Sequence, residues 1–135
     1  MTELVPPDDL SPAAHVVHLA DDLAMRTCAV ADGFWVDRAR AELATGRLLS
    51  VFTYVATWDY QERHPTGDEL VFVLEGDVEL LLDCGDGERA QRLARGGAGI
   101  VPAGSWHRLA VDARATLLFV TPVPALTEHR AVASG

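Results

Sequence analysis

The sequence predicts an all-β domain, an antiparallel sandwich or barrel, and three observations carry that prediction. From Arg47 onward the chain is a succession of short segments rich in β-branched, aromatic and aliphatic residues. Turn signals separate them at regular spacing: Glu75-Gly76-Asp77, Asp83 to Gly87, Gly96-Gly97, Pro102 to Ser105 and Val111-Asp112. The 135 residues, 49% of them hydrophobic, supply one compact core and leave no room for a second.

In chain order, residues 1–14 read as a flexible leader, because Pro6-Pro7 and Ser11-Pro12 oppose helix and Asp8-Asp9 is solvated. Val16 to Leu19 reads as a short strand, and Asp21 to Met25 as one helical turn capped by Asp21. Phe34-Trp35-Val36 is a strand or a core plug, and Asp37 to Leu43 a helix closed by Gly46. Arg47 to Trp58 is a long strand without a breaker. Short strands follow at Leu70 to Leu74, Val78 to Leu82, Arg89 to Leu93, Gly99 to Val101, His107 to Val111 and Ala115 to Val120. Pro122 and Pro124 end the last of them, so the barrel domain spans 15–124 and residues 125–135 are a C-terminal tail with no convincing period.

Acidic residues outnumber basic ones, 20 to 11, for a formal charge of -9. Such a surface repels phosphate backbones and anionic lipid, so neither nucleic acid nor a membrane is expected as a partner. A cation, a metal or a neutral small molecule suits the balance better. Cys28 and Cys84 show no ligand spacing, and Met1 to Asp9 lacks the basic start and apolar run of a signal peptide. Two free thiols in a reducing cytoplasm are expected.

The chemistry concentrates in Trp58 to Gly76, which holds Glu62, His64 and Glu69, three potential metal ligands, around a Pro65-Thr66-Gly67-Asp68 turn. In extended chain Glu62 and His64 share a face, and Trp58 and Tyr60 share its parity, giving aromatic walls to a substrate pocket. Glu69 opens the next strand with Val71 and Val73 on its side, which extends that pocket wall. A second cluster, Gly96 to His107, supplies another imidazole behind a Pro-x-Gly turn. Glu62 and Glu69 both sit at the edge of an apolar strand, where an uncompensated carboxylate is costly. A divalent cation would compensate both; so would a salt-bridge network through Arg63, Arg92 or Arg108. Asp68 reads as turn chemistry, His15 and His18 as ordinary polar residues, Trp106 as core or interface, and His129 as part of a solvent-exposed tail.

Both clusters resemble the two motifs of the cupin superfamily. The first reads here as Glu62-x-His64, four residues, Glu69, six residues, Gly76. The second reads as Gly96, five residues, Pro102-x-Gly104, two residues, His107. Ala56 stands where the first motif opens with glycine, Val111 where the second closes with asparagine, and Glu62 where the first histidine is usual. The stretch E-R-H-P-T-G-D-E is also similar to a group of small bacterial cupins that commonly carry this glutamate. The resemblance implies an antiparallel double-stranded β-helix, a jelly-roll barrel, with a short N-terminal extension and a little helix. It also implies one divalent ion per subunit, Fe, Mn, Ni or Zn, held by Glu62, His64, Glu69 and His107.

Three functions remain open at this point. The first is a metal-dependent enzyme on a small organic molecule, with Glu62 as a base and Tyr60 as a second catalytic candidate; proton transfer is favoured slightly over dioxygenation. The second is a non-catalytic module that binds a small molecule or metal, and the third a metal-free scaffold. A homodimer is expected, because open sheets leave edges to cover and the apolar segments from Val16 to Val36 are hard to place in one barrel.

Overall fold

Burial alternates along Glu69–Glu75, so buried Glu69, Val71 and Val73 point to one face and Leu70, Phe72 and Leu74 to the other. The same alternation runs through Ala98–Val101 and His107–Ala110 of the computed structural model, which describes residues 15–132. The leader expected over 1–14 lies outside the described residues. The strands are β1 (His15–Leu19), β2 (Met25–Ala29), β3 (Arg47–Tyr54), β4 (Tyr60–Arg63), β5 (Glu69–Glu75) and β6 (Asp77–Asp83). They continue with β7 (Glu88–Ala94), β8 (Ala98–Val101), β9 (His107–Ala110), β10 (Ala115–Pro122) and β11 (Glu128–Ala131). One short helix, α1, covers Ala41–Ala44.

The strands form two sheets, ordered β2-β1-β3-β10-β5-β8 and β11-β4-β9-β6-β7. Every pairing among the described residues is antiparallel. The sheets enclose one main core, in which Val73, Leu80, Leu109 and Leu117 are fully buried. This is the all-β double-stranded barrel that the strand pattern and the motifs predict. No helix among the described residues is long and apolar enough to cross a membrane.

The N-terminal third departs from expectation. Asp21 to Met25 is not a helical turn: Asp22 Oδ1 accepts the Ala24 N–H at 3.0 Å, Leu23 takes φ 74, and Met25 already begins β2. That local hydrogen bond offers the backbone a turn instead of a helix start. Phe34-Trp35-Val36 is a single 3₁₀ turn with Phe34 buried. Helix begins only at Ala41, because Arg40 is extended at φ -60 and ψ 133 and Asp37 Oδ1 ties back to the Ala39 N–H. Val16, Cys28, Phe34, Leu43 and Leu48 build a second small core, so part of these apolar segments packs within its own chain, while Leu23, Met25 and Val36 stay exposed.

The strand from Arg47 stops at Tyr54, short of Trp58. There the Thr57 hydroxyl takes over, receiving the Val111 N–H at 2.9 Å, while Trp58 N–H reaches the Leu109 carbonyl at 3.0 Å. Residues 125–131, read from the sequence as tail, include β11, which pairs with β4 through Glu128–Arg63, His129–Glu62, Arg130–Gln61 and Ala131–Tyr60.

Candidate metal centre

Each candidate ligand is placed by a strand end. Glu62 lies within β4, His64 directly follows it, and Glu69 and His107 are the first residues of β5 and β9. Glu62 pairs in register with His107 on one side and with His129 on the other, so the three side chains share a face across neighbouring strands. The two turns are cross-linked: Asp68 Oδ1 accepts the Ala103 N–H at 2.9 Å, and Gly104 N–H reaches the His64 carbonyl at 2.9 Å. Asp68 therefore does more than shape its own turn; it locks the first motif to the second.

One ligand atom from each of Glu62, His64, Glu69 and His107 lies within 4.8 Å of all the others. His64, Glu69 and His107 are buried, and the Glu62 side chain is 18% exposed. The hydrogen bonds around them suit a cation. His107 Nδ1–H donates to the Ser105 carbonyl at 3.2 Å, which leaves Nε2 to face Glu69 Oε1 at 3.1 Å. Lone pairs that close require a proton or a metal ion between them. His64 Nε2 is buried 3.2 Å from Glu69 Oε2 and 3.8 Å from Glu62 Oε2, yet out of line for a hydrogen bond to either. An orphaned imidazole nitrogen between two carboxylates is the donor set a divalent cation completes.

Electrostatics agree. Burial opposes ionisation of Glu69, but the hydrogen bond from His107 and the His64 imidazole beside it outweigh it and hold the carboxyl at about 2. Burial likewise opposes a charge on His107, and the Glu69 carboxylate overcomes it and raises the imidazole above its ordinary range. The second Glu69 oxygen accepts from the Thr121 hydroxyl at 2.7 Å.

The salt-bridge alternative fails on geometry. Arg63 pairs with Glu128, Arg92 with Asp77 and Glu79, and Arg108 with Glu88. Among the described residues no arginine reaches Glu62 or Glu69.

A cavity of about 250 Å³ opens over the cluster, with Glu62, His64 and Glu69 in its wall. Trp58 lines it, but Tyr60 lies behind, its ring stacked on Trp58 at 5.0 Å and 9°. Val71 and Val73 are corrected too: at 1% and 0% exposure they belong to the main core, and the cavity wall does not include them. The aromatic wall instead comes from Trp35, Phe52, Tyr54 and Phe119, which strand parity around the motifs could not assign because they lie on β3, β10 and the 3₁₀ turn. His129 is not a free tail residue: its Nε2 sits 3.0 Å from Glu62 Oε1. Trp106 is outside the core, a half-buried ring between the Arg63 and Arg130 guanidiniums, at 4.8 and 4.2 Å. His18 is buried and bonded to the Thr45 carbonyl at 2.9 Å, a structural role.

The barrel, the paired turns and the cluster of two glutamates and two histidines define a cupin. The cupin domain family model matches residues 55–121, and the chain belongs to the cupin superfamily. Among solved structures it resembles a double-stranded β-helix protein from Klebsiella pneumoniae, at 15% identity and TM-score 0.52, over 65% of this chain and 76% of that one. A variant of Bacillus subtilis oxalate decarboxylase matches at 15% identity and TM-score 0.50, over 64% of this chain and 24% of that one. A Neisseria meningitidis protein matches at 19% identity and TM-score 0.49, over 57% and 74%. No curated protein gives a significant match.

Proposed function

We propose that the chain is a metal-dependent enzyme acting on a small organic molecule, with one divalent ion (Fe, Mn, Ni or Zn) held by Glu62, His64, Glu69 and His107. The observation that carries the reading is the pair of acidic side chains with no arginine partner, gathered with an orphaned His64 nitrogen at an aromatic-walled cavity. A divalent ion there supplies a Lewis acid that polarises an oxygen of the bound molecule.

The chain's own residues divide the remaining work. Glu69 and His107 are the rigid part of the site, buried and bonded to each other. Glu62 is the most exposed of the four and borders the cavity, so it is the residue placed to take a proton from a bound molecule. Tyr60 is a poorer base: burial and then the Glu62 charge push its phenol upward, which keeps it protonated. We favour isomerisation, cyclisation or elimination over oxygenation on this ground. Metal-free protein loaded anaerobically with Zn(II) or Fe(II) and offered small carbonyl, enol and hydroxy-acid compounds tests the choice. Product formed with Zn(II) in the absence of oxygen is the expected result. Turnover confined to Fe(II) with oxygen uptake would assign the other chemistry, and tight binding without turnover under either metal would make the protein a binding module.

The cysteines are free, which supports a reducing, cytoplasmic setting. Among the described residues the outer edge of β2 has no strand beside it, and Leu23 and Met25 there are 90% and 74% exposed, which supports a homodimer built across that edge. Sedimentation should then give about twice the 14.5 kDa chain mass at roughly tens of micromolar. A single 14.5 kDa species at that concentration would remove the dimer.

A further inference from the structure

Residues past 121 fall outside the family match, yet they touch the metal cluster at two points. Thr127 Oγ1 lies 3.0 Å from His64 Nδ1, and His129 Nε2 lies 3.0 Å from Glu62 Oε1. Pro124, Thr127 and His129 also form part of the cavity wall. β11 itself buries none of its four side chains, so apolar packing does not hold that strand there. Directed polar contacts do. Arg63 grips both Glu128 oxygens at 3.0 and 2.9 Å, and Arg130 donates to Gln61 Oε1 at 2.7 Å and Asp83 Oδ2 at 2.6 Å. The same Arg130 stacks on Trp106, one residue before His107. At its entry, Val123 takes φ 35, a conformation β-branched residues avoid, and is held there by its N–H bond to the Gly46 carbonyl at 2.9 Å.

We propose that Thr127 is a positioning residue of the metal site and that β11 is the strap which delivers it, with His129 steadying Glu62 in the same way. The Thr127 hydroxyl accepts the Nδ1–H of His64. That fixes the imidazole in the tautomer whose Nε2 lone pair faces Glu62 and Glu69, ready for a cation. The inference rests on the metal reading for its consequence, but the contact itself exists in the metal-free chain.

The test uses the full chain and three forms: wild type, Thr127→Val, which keeps the shape and loses the hydroxyl, and Thr127→Ser, which restores it. Long-range ¹H–¹⁵N spectra of the metal-free protein read the His64 tautomer directly. Wild type and Thr127→Ser should carry the proton on Nδ1, and Thr127→Val should shift it toward Nε2. In Zn(II) titrations Thr127→Val should bind about 10- to 100-fold more weakly, and Thr127→Ser close to wild type. Thermal midpoints of the metal-free forms should stay together, which separates positioning from a general loss of structure. A wild-type His64 protonated on Nε2, or a Thr127→Val form with unchanged tautomer and affinity, overturns the proposal. A wild type with the Nδ1–H tautomer that takes up no Zn(II) supports the Thr127 contact and overturns the metal reading instead.

Discussion

Replacing Gly76 with alanine should destabilise the fold by about 3–4 kcal/mol, one of the largest single-residue effects in this chain. Gly76 turns β5 into β6 at φ +78, where an L-residue already loses about 1–2 kcal/mol. The added Cβ would also stand 2.3 Å from the Arg114 carbonyl oxygen and 3.1 Å from the Ala115 Cα, both backbone atoms that cannot swing aside. Ala115 is fully buried at the start of β10, so relief would have to displace a central strand. The thermal midpoint should fall by roughly 10 °C or more. Gly85 is the control: its φ is +89, but nothing lies within 4 Å of its would-be Cβ, so Gly85→Ala should cost about 1 kcal/mol. Equal losses at the two positions would show that the turn conformation alone, and not the close approach to Arg114, makes Gly76 necessary.

The same physics explains which parts of the motif could change. Leu23 and Val123 are the non-glycine residues with positive φ among those described, so Ala56 sits in ordinary backbone where the first motif has glycine. Val111 fills the closing asparagine position with a side chain 4% exposed in the main core, and the Thr57 hydroxyl serves its backbone N–H.

The second half of the chain was legible because its signals are local. Gly76, Gly96 and Gly104 all adopt the positive φ that their turns suggest, and the parity that buries Val71 and Val73 also turns Glu69 inward. The clustering of Glu62, His64, Glu69 and His107 followed from spacing on that scaffold. The N-terminal third was not legible, because Asp21 and Asp22 offer both a helix cap and a tight turn, and the hairpin register with β1 decides between them. β11 was hidden for a different reason. Its four side chains are all exposed, so no hydrophobic alternation marks it, and its place depends on partners 47 to 69 residues away. Thr121, Thr127 and the aromatic wall escaped for the same cause: tertiary neighbours, with no local pattern to announce them.

The second large effect concerns the metal. His107 is fully buried, its Nδ1–H is committed to Ser105, and no other described side chain can bring a nitrogen to its place. His64 is the orphaned nitrogen opposite. Removing both leaves two carboxylates, one of them partly exposed, and should weaken binding more than roughly 100-fold, whereas Glu62→Ala should weaken it far less. The decisive measurement is elemental analysis of protein purified without a histidine tag, which would add ligands of its own. Wild type should carry about one divalent ion per chain and the His64→Ala/His107→Ala double variant essentially none, with both folded by circular dichroism. Equal metal content in the two proteins would contradict the site.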